Sequence, residues 1–458
     1  MIRPIFRLIS FLLIFLVFIV FANAFLIRTD LFTRAMMYEM HSRSDIDLAF
    51  IGSSVCRNHI NANLISEKIG QVVFNASVPD LAMQGSIALT RELFLNHSPD
   101  AVVLVVDAYT FDSDLEAAEA EYMLMPWLSD RKNQFEYYKN LTESDGWYLD
   151  RLLMFRDFGA ERLSDIIKTT SLHLFPESAL HIYGNTAKDG EAEVLYEGSG
   201  FLRYQTEKRA DNDIRARMQR IYTGWDYRLY PRSKDMLLAY RDLVAEQGSR
   251  LLVLISPSHT VHQLADPSYY GYTLRLMQFC RKNGIECVNF GWAKPELLPN
   301  LDAYYYDLFH LSGEGADLYS EALAVYLKGW IERKDVSDLF YGSQAEYLEN
   351  IDFITNVWIE KLDRKEKWNR AREQEKNAVL ALPENVDIYL ANCNHGPSVV
   401  PEYRFVFRTE DGKEQPLTDW KTDGIYCLDD QMQASGILRV YARPAGKEND
   451  LVWYDFTG

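Results

Sequence analysis

Apolar residues first form one long uninterrupted run, from Leu8 to Ile27. About 20 helical residues at roughly 1.5 Å each cover a hydrocarbon core of about 30 Å, so this run is long enough to span a bilayer. Arg3 and Arg7 precede it and favour a cytoplasmic amino terminus, which would leave the rest of the chain outside the cytoplasm. Ala22-Asn23-Ala24 has the form of a signal-cleavage site, but the apolar run continues beyond it. We therefore predict that residues 1–30 form a single-pass membrane anchor, with a cleaved signal peptide of a secreted protein as the alternative.

From about residue 45 to residue 335, short apolar runs alternate with stretches of helical periodicity. Strands are predicted at Ile46–Ile51, Gln71–Asn75, Ala101–Asp107, Arg250–Ser256 and Cys287–Phe290. Helices are predicted at Ala62–Ile69, Leu81–Leu95, Lys234–Gln247, Thr273–Lys282 and Glu314–Lys334. Such alternation is typical of an α/β fold, with a parallel sheet covered by helices on both faces. Ligands in this architecture bind at the carboxyl ends of the strands.

Three further segments differ from this pattern. Residues 108–232 form a long insertion rich in Tyr, Trp, Arg and Glu, which we expect to cap the site either as a helical lid or as a substrate-binding subdomain. Residues 336–380 contain a run dense in charge of both signs and are predicted to be a solvated helical linker. Residues 381–458 contain short alternating strands and predict a small all-β sandwich. Its strands are predicted at Val386–Leu390, Tyr403–Arg408, Ile425–Leu428 and Ile437–Arg443.

Charge and cysteine content restrict the partners. The 458 residues carry a formal net charge of -18 without a clustered Lys/Arg stripe, so we expect no nucleic-acid partner. The five cysteines show no metal-binding spacing, and we predict neither a metal nor a cofactor. Cys393 and Cys427 lie in the same predicted β module, either as a disulfide of an exported protein or, more commonly for such residues, as two buried thiols.

The first candidate for chemistry is Ser54, which follows the first predicted strand in Gly52-Ser53-Ser54. This places a serine at a strand-to-helix turn, at the end of the sheet where ligands bind. Its Oγ could attack a carbonyl while its own backbone N–H faces the developing oxyanion. The alternative for a serine in this position is to cap the next helix.

The second candidate pair is Asp307 and His310, which precede the last predicted helix. A serine nucleophile needs a base, and His310 could take the Ser54 proton. Asp307 could then hold the imidazole tautomer and stabilise the imidazolium. The alternative is a surface turn in which Ser312 caps the helix, a role that leaves Asp307 and His310 unexplained.

Together these blocks resemble the SGNH (GDSL-like) hydrolase family, in which the serine follows the first strand and an Asp-x-x-His precedes the last helix. The resemblance spans about residues 45–334 and implies an α/β/α fold, a Ser54–Asp307–His310 triad, and ester chemistry without metal or cofactor. With its leading hydrophobic segment, the chain looks like the membrane-anchored members that act in alginate acetylation and teichoic acid D-alanylation. The segments that begin at Tyr403 (YRFVF) and Gly436 (GILRVYAR) resemble the triple-tyrosine β-sandwich of bacterial surface proteins, which implies an accessory binding or spacing role.

The oxyanion blocks of the family are altered in this chain. Ser77 and Asp107 occupy the positions after the second and third strands where the family has a glycine and an asparagine. An ionised Asp107 would oppose oxyanion charge unless it were protonated or turned away. His259 follows the fourth predicted strand and is a candidate for the pocket wall, although a loop histidine bonded to backbone is the commoner outcome.

Three functions remain open on the sequence alone. The leading hypothesis is an extracytoplasmic serine esterase or O-acyltransferase that acts on an acylated envelope or secreted polysaccharide, with a membrane acyl-donor protein as a further partner. The second is a non-catalytic surface glycan-binding or assembly protein that retains the fold. The third is a lipase or lysophospholipase, for which a more apolar insertion would be expected.

Overall fold

The computed structural model describes residues 2–26, 30–107, 110–111, 124–145, 167, 170–171, 174–189, 192–205, 229–259, 267–306, 309–351, 354–362, 386–395, 399–409, 412–429, 436–447 and 451–456. Its α-helices are α1 (Ile2–Leu26), α2 (Leu31–Ser42), α3 (Ser54–His59), α4 (Ala62–Ile69), α5 (Met83–Asn96), α6 (Arg131–Asp145), α7 (Pro231–Glu246), α8 (Pro267–Lys282), α9 (Gly313–Ile331) and α10 (Gln344–Asn350). Its strands are β1 (Leu48–Gly52), β2 (Val73–Ser77), β3 (Ala101–Val106), β4 (Thr186–Asp189), β5 (Ala192–Gly198), β6 (Phe201–Tyr204), β7 (Arg250–Ile255), β8 (Glu286–Asn289), β9 (Ile354–Leu362), β10 (Val386–His395), β11 (Pro401–Thr409), β12 (Glu414–Pro416), β13 (Ile425–Asp429), β14 (Gly436–Pro444) and β15 (Val452–Phe456).

A five-stranded parallel sheet in the order β2-β1-β3-β7-β8 forms the centre of the α/β region. Side chains alternate between its faces, and Leu48, Phe50, Val103 and Leu252 belong to one apolar core. Helices α3, α4 and α9 pack together on this core, while α5 and α7 contact each other and β1 or β7. The predicted α/β class is confirmed. The carboxyl ends of β1 and β3 meet at one edge, which is where Ser54 and Asp107 lie.

The insertion contains an antiparallel sheet, in the order β4-β5-β6, that the sequence analysis did not predict. Its β5–β6 turn sits against β2, because the backbone N–H of Asn75 donates to the carbonyl oxygen of Ser199 at 2.9 Å. Gly200 has a φ of +78°, and an added Cβ would come within 1.7 Å of the Asn75 carbonyl oxygen. This close approach requires glycine. The described part of the insertion is therefore joined to the central sheet at β2.

The amino-terminal apolar run forms α1, which contains a 19-residue stretch, Pro4–Ala22, with a mean hydropathy of 2.9. Most of its large apolar side chains are exposed. The helix is long and apolar enough to cross a membrane, although a signal sequence would have the same properties. The following helix α2 was not predicted and is largely buried; Asp30 caps it by accepting a hydrogen bond from the backbone N–H of Thr33.

The chain divides into two units, the second of which contains the described residues of Tyr341–Gly458, together with His259 and Pro267. In this second unit a sheet in the order β13-β10-β9 and a sheet in the order β12-β11-β14-β15 share one apolar core. Phe405 stacks on Tyr426, and Tyr389 meets Phe456 edge to face, which joins the sheets. The predicted small all-β module is confirmed.

The structure differs from the predicted linker and excludes one of the two alternatives given for the cysteines of this region. The charged helical linker predicted at 336–380 contains the strand β9, which pairs with β10 along Ile354–Leu362; residues 363–385, which hold most of the charged run, lie outside the described part of the chain. The disulfide option fails as well, because Cys427 pairs with Ile388 while Cys393 lies further along the same strand. At roughly 3.4 Å per residue the two cysteines are on the order of 15 Å apart, beyond the reach of a disulfide.

Candidate active site

The turn between β1 and α3 gives its two serines different partners. Ser53 precedes the helix, and its Oγ accepts a hydrogen bond from the backbone N–H of Val55 at 3.3 Å. Ser54 is the first residue of the helix and is half-buried. The capping role that a serine usually has after a strand therefore belongs to Ser53. The hydroxyl of Ser54 is therefore not needed to cap the helix and has a different partner.

The partner of the Ser54 hydroxyl is His310. The Nε2 of His310 lies 2.8 Å from the Oγ of Ser54, although the two residues are 256 positions apart in the chain. The loop that carries the histidine is closed by the backbone N–H of Tyr306, which donates to the His310 carbonyl oxygen at 2.7 Å. Ser312 then caps α9 by accepting a hydrogen bond from the backbone N–H of Gly315. The structure thus brings together two of the three residues predicted as a triad.

The third predicted residue, Asp307, lies outside the described residues. Its role as the partner of the His310 ring stays a prediction. The other nitrogen of that ring, Nδ1, is the atom such a carboxylate would hold, because Nε2 faces Ser54.

Asp107 lies beside the serine turn, directly after β3. One carboxylate oxygen accepts the Ser53 hydroxyl at 2.5 Å, and the other accepts the backbone N–H and the hydroxyl of Thr110, both at 2.9 Å. Since donors surround this carboxylate, it is turned towards the Ser53 cap and the Thr110 turn. The geometry gives Asp107 a supporting position at the base of the site. A direct part in oxyanion binding stays a prediction.

Ser77 ends β2 and is buried, opposite Gly52 in the sheet register. Its hydroxyl donates to the side-chain oxygen of Asn75 at 2.7 Å. The amide nitrogen of Asn75 donates in turn to the carbonyl oxygens of Cys56 and Ile60, at 2.8 and 2.9 Å. Ser77 and Asn75 therefore lie beneath α3 and fix the helix that begins with the candidate nucleophile.

His259 is buried four residues after the end of β7. It groups with the second unit of the chain, whereas Ser54 and His310 belong to the first. A part in the pocket wall stays a prediction.

Two residues near the candidate pair were missed by the sequence analysis. Tyr204, at the end of β6, stacks on Tyr306 with ring centroids 4.6 Å apart and lies 5.9 Å from the His310 ring. The Tyr306 ring is buried in this stack. Because Tyr204 comes from the insertion, no motif connected it to His310.

The second missed residue is Asp80, in the loop after β2, where its φ is +52°. Desolvation of the carboxyl and the negative charge of Asp107 raise the pKa of Asp80, whereas His310 and Arg57 oppose the rise. These couplings place an acidic group in the electrostatic field of the serine–histidine pair. A left-handed non-glycine residue in the loop after a strand has no simple sequence signal.

Comparisons with known proteins give distant structural similarities only. No protein-family model matches the chain, and no curated protein matches it. One similar solved structure is a candidate acylhydrolase from Bacteroides fragilis, with 10% identity and a TM-score of 0.31; the match covers 65% of this chain and 93% of that one. Another is a GDSL-like lipase from Bacteroides thetaiotaomicron, with 10% identity and a TM-score of 0.30; the match covers 66% of this chain and 97% of that one. A third is a candidate lipolytic protein of the G-D-S-L family from Desulfitobacterium hafniense, with 8% identity and a TM-score of 0.29; the match covers 61% of this chain and 97% of that one. At these TM-scores the similarity is too distant to assign an activity, and we infer the chemistry from this chain's own residues.

Proposed function

We propose that this protein is a serine-dependent acyl-ester hydrolase or O-acyltransferase that acts outside the cytoplasm on an acylated polysaccharide of the cell envelope or a secreted one. The observation that carries the proposal is the 2.8 Å approach of His310 Nε2 to Ser54 Oγ. This is the distance required between a nucleophile and its general base. Both residues are half-buried, so the pair is held in place and still open to a substrate.

In the first step the Ser54 oxygen attacks the ester carbonyl carbon while His310 Nε2 accepts the Oγ proton. The carbonyl oxygen becomes an oxyanion, for which the Ser54 backbone N–H is the donor we propose. Collapse of this intermediate breaks the bond to the leaving alkoxide, which takes the proton from His310. The acyl group then remains on Ser54 as an ester.

In the second step His310 takes a proton from the acceptor, which attacks the acyl-serine. Collapse of this second intermediate breaks the bond between the acyl carbon and Ser54 Oγ, and this oxygen takes the proton back from His310. Water as acceptor gives hydrolysis, and a sugar hydroxyl gives transfer. We propose that Asp307 stabilises the imidazolium in both steps, as the carboxylate does in a serine triad. The proposal needs no metal and no organic cofactor.

The proposed location rests on α1, whose exposed apolar length fits a membrane anchor with the remainder of the chain outside. A polysaccharide substrate fits such a location, and a membrane protein that supplies the acyl group would be the partner of a transferase. A non-catalytic glycan-binding protein is the alternative that the following experiment separates.

The test is turnover of p-nitrophenyl acetate by the full-length protein in detergent, compared with Ser54→Ala and His310→Ala. The exposed Ser337 provides a control variant, Ser337→Ala. We expect each of the two site substitutions to lower kcat by roughly 10²-fold or more, as for other nucleophile and base removals. An added oligosaccharide that speeds p-nitrophenol release without additional free acetate would identify transfer.

Turnover that is absent in the parent protein, or that persists unchanged in Ser54→Ala, would contradict the proposal. The first of these results would favour the glycan-binding alternative.

A further inference from the structure

His59 is a buried residue that neither the sequence analysis nor the proposed chemistry uses. It is 1% exposed and ends α3, the short helix that Ser54 begins. The same six-residue helix therefore carries both the candidate nucleophile and this imidazole.

The hydrogen bonds of His59 fix its ring. Its Nε2 lies 2.9 Å from the carbonyl oxygen of Phe309, and its Nδ1 lies 3.2 Å from the hydroxyl of Ser256. Because a carbonyl oxygen only accepts, Nε2 must carry a proton and donate it in the bond to Phe309. The rings of Tyr305 and Tyr319 approach it edge to face at 6.2 and 6.4 Å.

The bond to Phe309 acts on His310, since the Phe309 carbonyl belongs to the peptide group that begins His310. Fixing this peptide plane fixes the direction in which the His310 side chain leaves the backbone. The same loop is fastened by the Tyr305 hydroxyl, which donates to the Pro257 carbonyl oxygen at 3.0 Å. His59 thus connects, by one hydrogen bond, the helix that carries Ser54 to the loop that carries His310.

We propose that His59 is a positioning residue that holds His310 Nε2 at its proton-transfer distance from Ser54. This inference rests on the proposed function, because it concerns the same pair. The Nε2 donor of His59, rather than the bulk of the ring, is the group that matters.

Two conservative substitutions separate the donor from the bulk. The amide nitrogen of His59→Gln can reach the position of Nε2, whereas that of His59→Asn can reach only the position of Nδ1. We expect His59→Asn to lower kcat for p-nitrophenyl acetate by about 10- to 100-fold, the cost of displacing a catalytic group by roughly 1 Å. KM should change little, and His59→Gln should recover most of the rate.

His97 is a matched control outside the site, because it is also buried and its Nε2 lies 2.8 Å from a carbonyl oxygen, that of Met40. We expect His97→Asn to leave kcat unchanged per folded molecule, with the folded fraction measured by near-ultraviolet circular dichroism.

Equal kcat values for the Gln and Asn variants of His59, per folded molecule, would overturn the positioning role while the parent's turnover stands. A parent protein without turnover and without fluorophosphonate labelling of Ser54 would overturn the proposed function itself, so the two failures are distinguishable.

Discussion

At the scale of single residues, the candidate site depends on a division of labour between two serines. The Ser53 hydroxyl caps α3 and donates a hydrogen bond to Asp107. The Ser54 hydroxyl is therefore free of these roles and faces His310. Gly52 makes this turn possible, because a Cβ there would lie 2.8 Å from the Cβ of Cys56 and 2.9 Å from the carbonyl oxygen of Val105. Neither neighbour is the free end of a flexible side chain.

Gly52→Ala should therefore lower the free energy of unfolding by about 1–3 kcal/mol through overpacking. It should also reduce turnover, since α3 begins two residues later. Urea denaturation followed by tryptophan fluorescence measures the first effect. Gly271→Ala is the control, because its added Cβ meets only the mobile end of Arg275; this variant should be neutral or more stable. A Gly52→Ala protein as stable as the parent would contradict the steric argument.

The sequence predicted the meeting of Ser54 and His310 because both lie at ends of elements that a parallel sheet brings to one edge. It could not assign capping to Ser53 instead of Ser54, since adjacent serines at a helix start offer the same chemistry. Tyr204 could not be found either, because its proximity to His310 arises from how the insertion folds. His59 is separated from the Phe309 carbonyl by 250 residues, and only the tertiary structure joins them.

At the scale of elements, the long apolar strands were predicted closely, whereas several strands of mixed composition were missed. The strands β3 and β7 are buried along most of their length and were predicted within one residue. Strand β9 was missed because Glu360 and Lys361 continue into a charged run, which reads as a solvated helix. In β5, buried Ala192 and Val194 alternate with exposed Glu193, but over too short a length to stand out.

Helix α3 is short, and we expect the buried hydrogen bonds from the Asn75 amide to stabilise it. Replacing Asn75 by Leu should leave the carbonyl oxygens of Cys56 and Ile60 without their buried donor. We expect a loss of about 2–3 kcal/mol in unfolding free energy, together with a lower rate of Ser54 acylation. Asn63→Leu is the control, since its amide donates to the Glu197 carbonyl oxygen from an exposed position. Equal unfolding free energies for the two variants would show that α3 needs no such support.

At the scale of the whole molecule, separate segments are joined by a few buried polar contacts. Glu92 of α5 is fully buried and accepts hydrogen bonds from the His41 ring at 2.9 Å and from the backbone N–H of Ser129 at 2.8 Å. Burial alone would raise the pKa of Glu92, but the hydrogen bonds from His41 and Ser129 outweigh it and hold the pKa below its ordinary value of 4.5.

This lowered pKa predicts a specific loss of stability in acid. The ionised Glu92 contributes its full stabilisation above pH 4.5, and the contribution falls as the pH drops below that value through the folded-state pKa. Below pH 4.5, the free energy of unfolding of Glu92→Gln should therefore depend less on pH than that of the parent. At neutral pH, the free energy of unfolding of the variant should be lower than that of the parent. Urea titrations between pH 3 and pH 7 measure both effects. An unchanged slope in the variant would assign the acid sensitivity to other carboxyls.

The apolar helix α1, which we propose as a membrane anchor, is the other feature at this scale. A charge at the centre of a spanning helix costs about 2.5–3.5 kcal/mol on insertion scales, so Leu12→Lys combined with Leu16→Lys should release the protein from membranes. Flotation with liposomes provides the measurement. A double variant that still floats with the lipid would contradict membrane attachment through α1.

The central claim is that Ser54 is a nucleophile activated by His310, and the most direct test is labelling of the full-length protein with a fluorophosphonate followed by peptide mass mapping. We predict a single adduct on Ser54, none in Ser54→Ala, and labelling at least about 10²-fold slower in His310→Ala. An adduct on Ser53, the absence of any adduct, or an undiminished rate in His310→Ala would contradict the account.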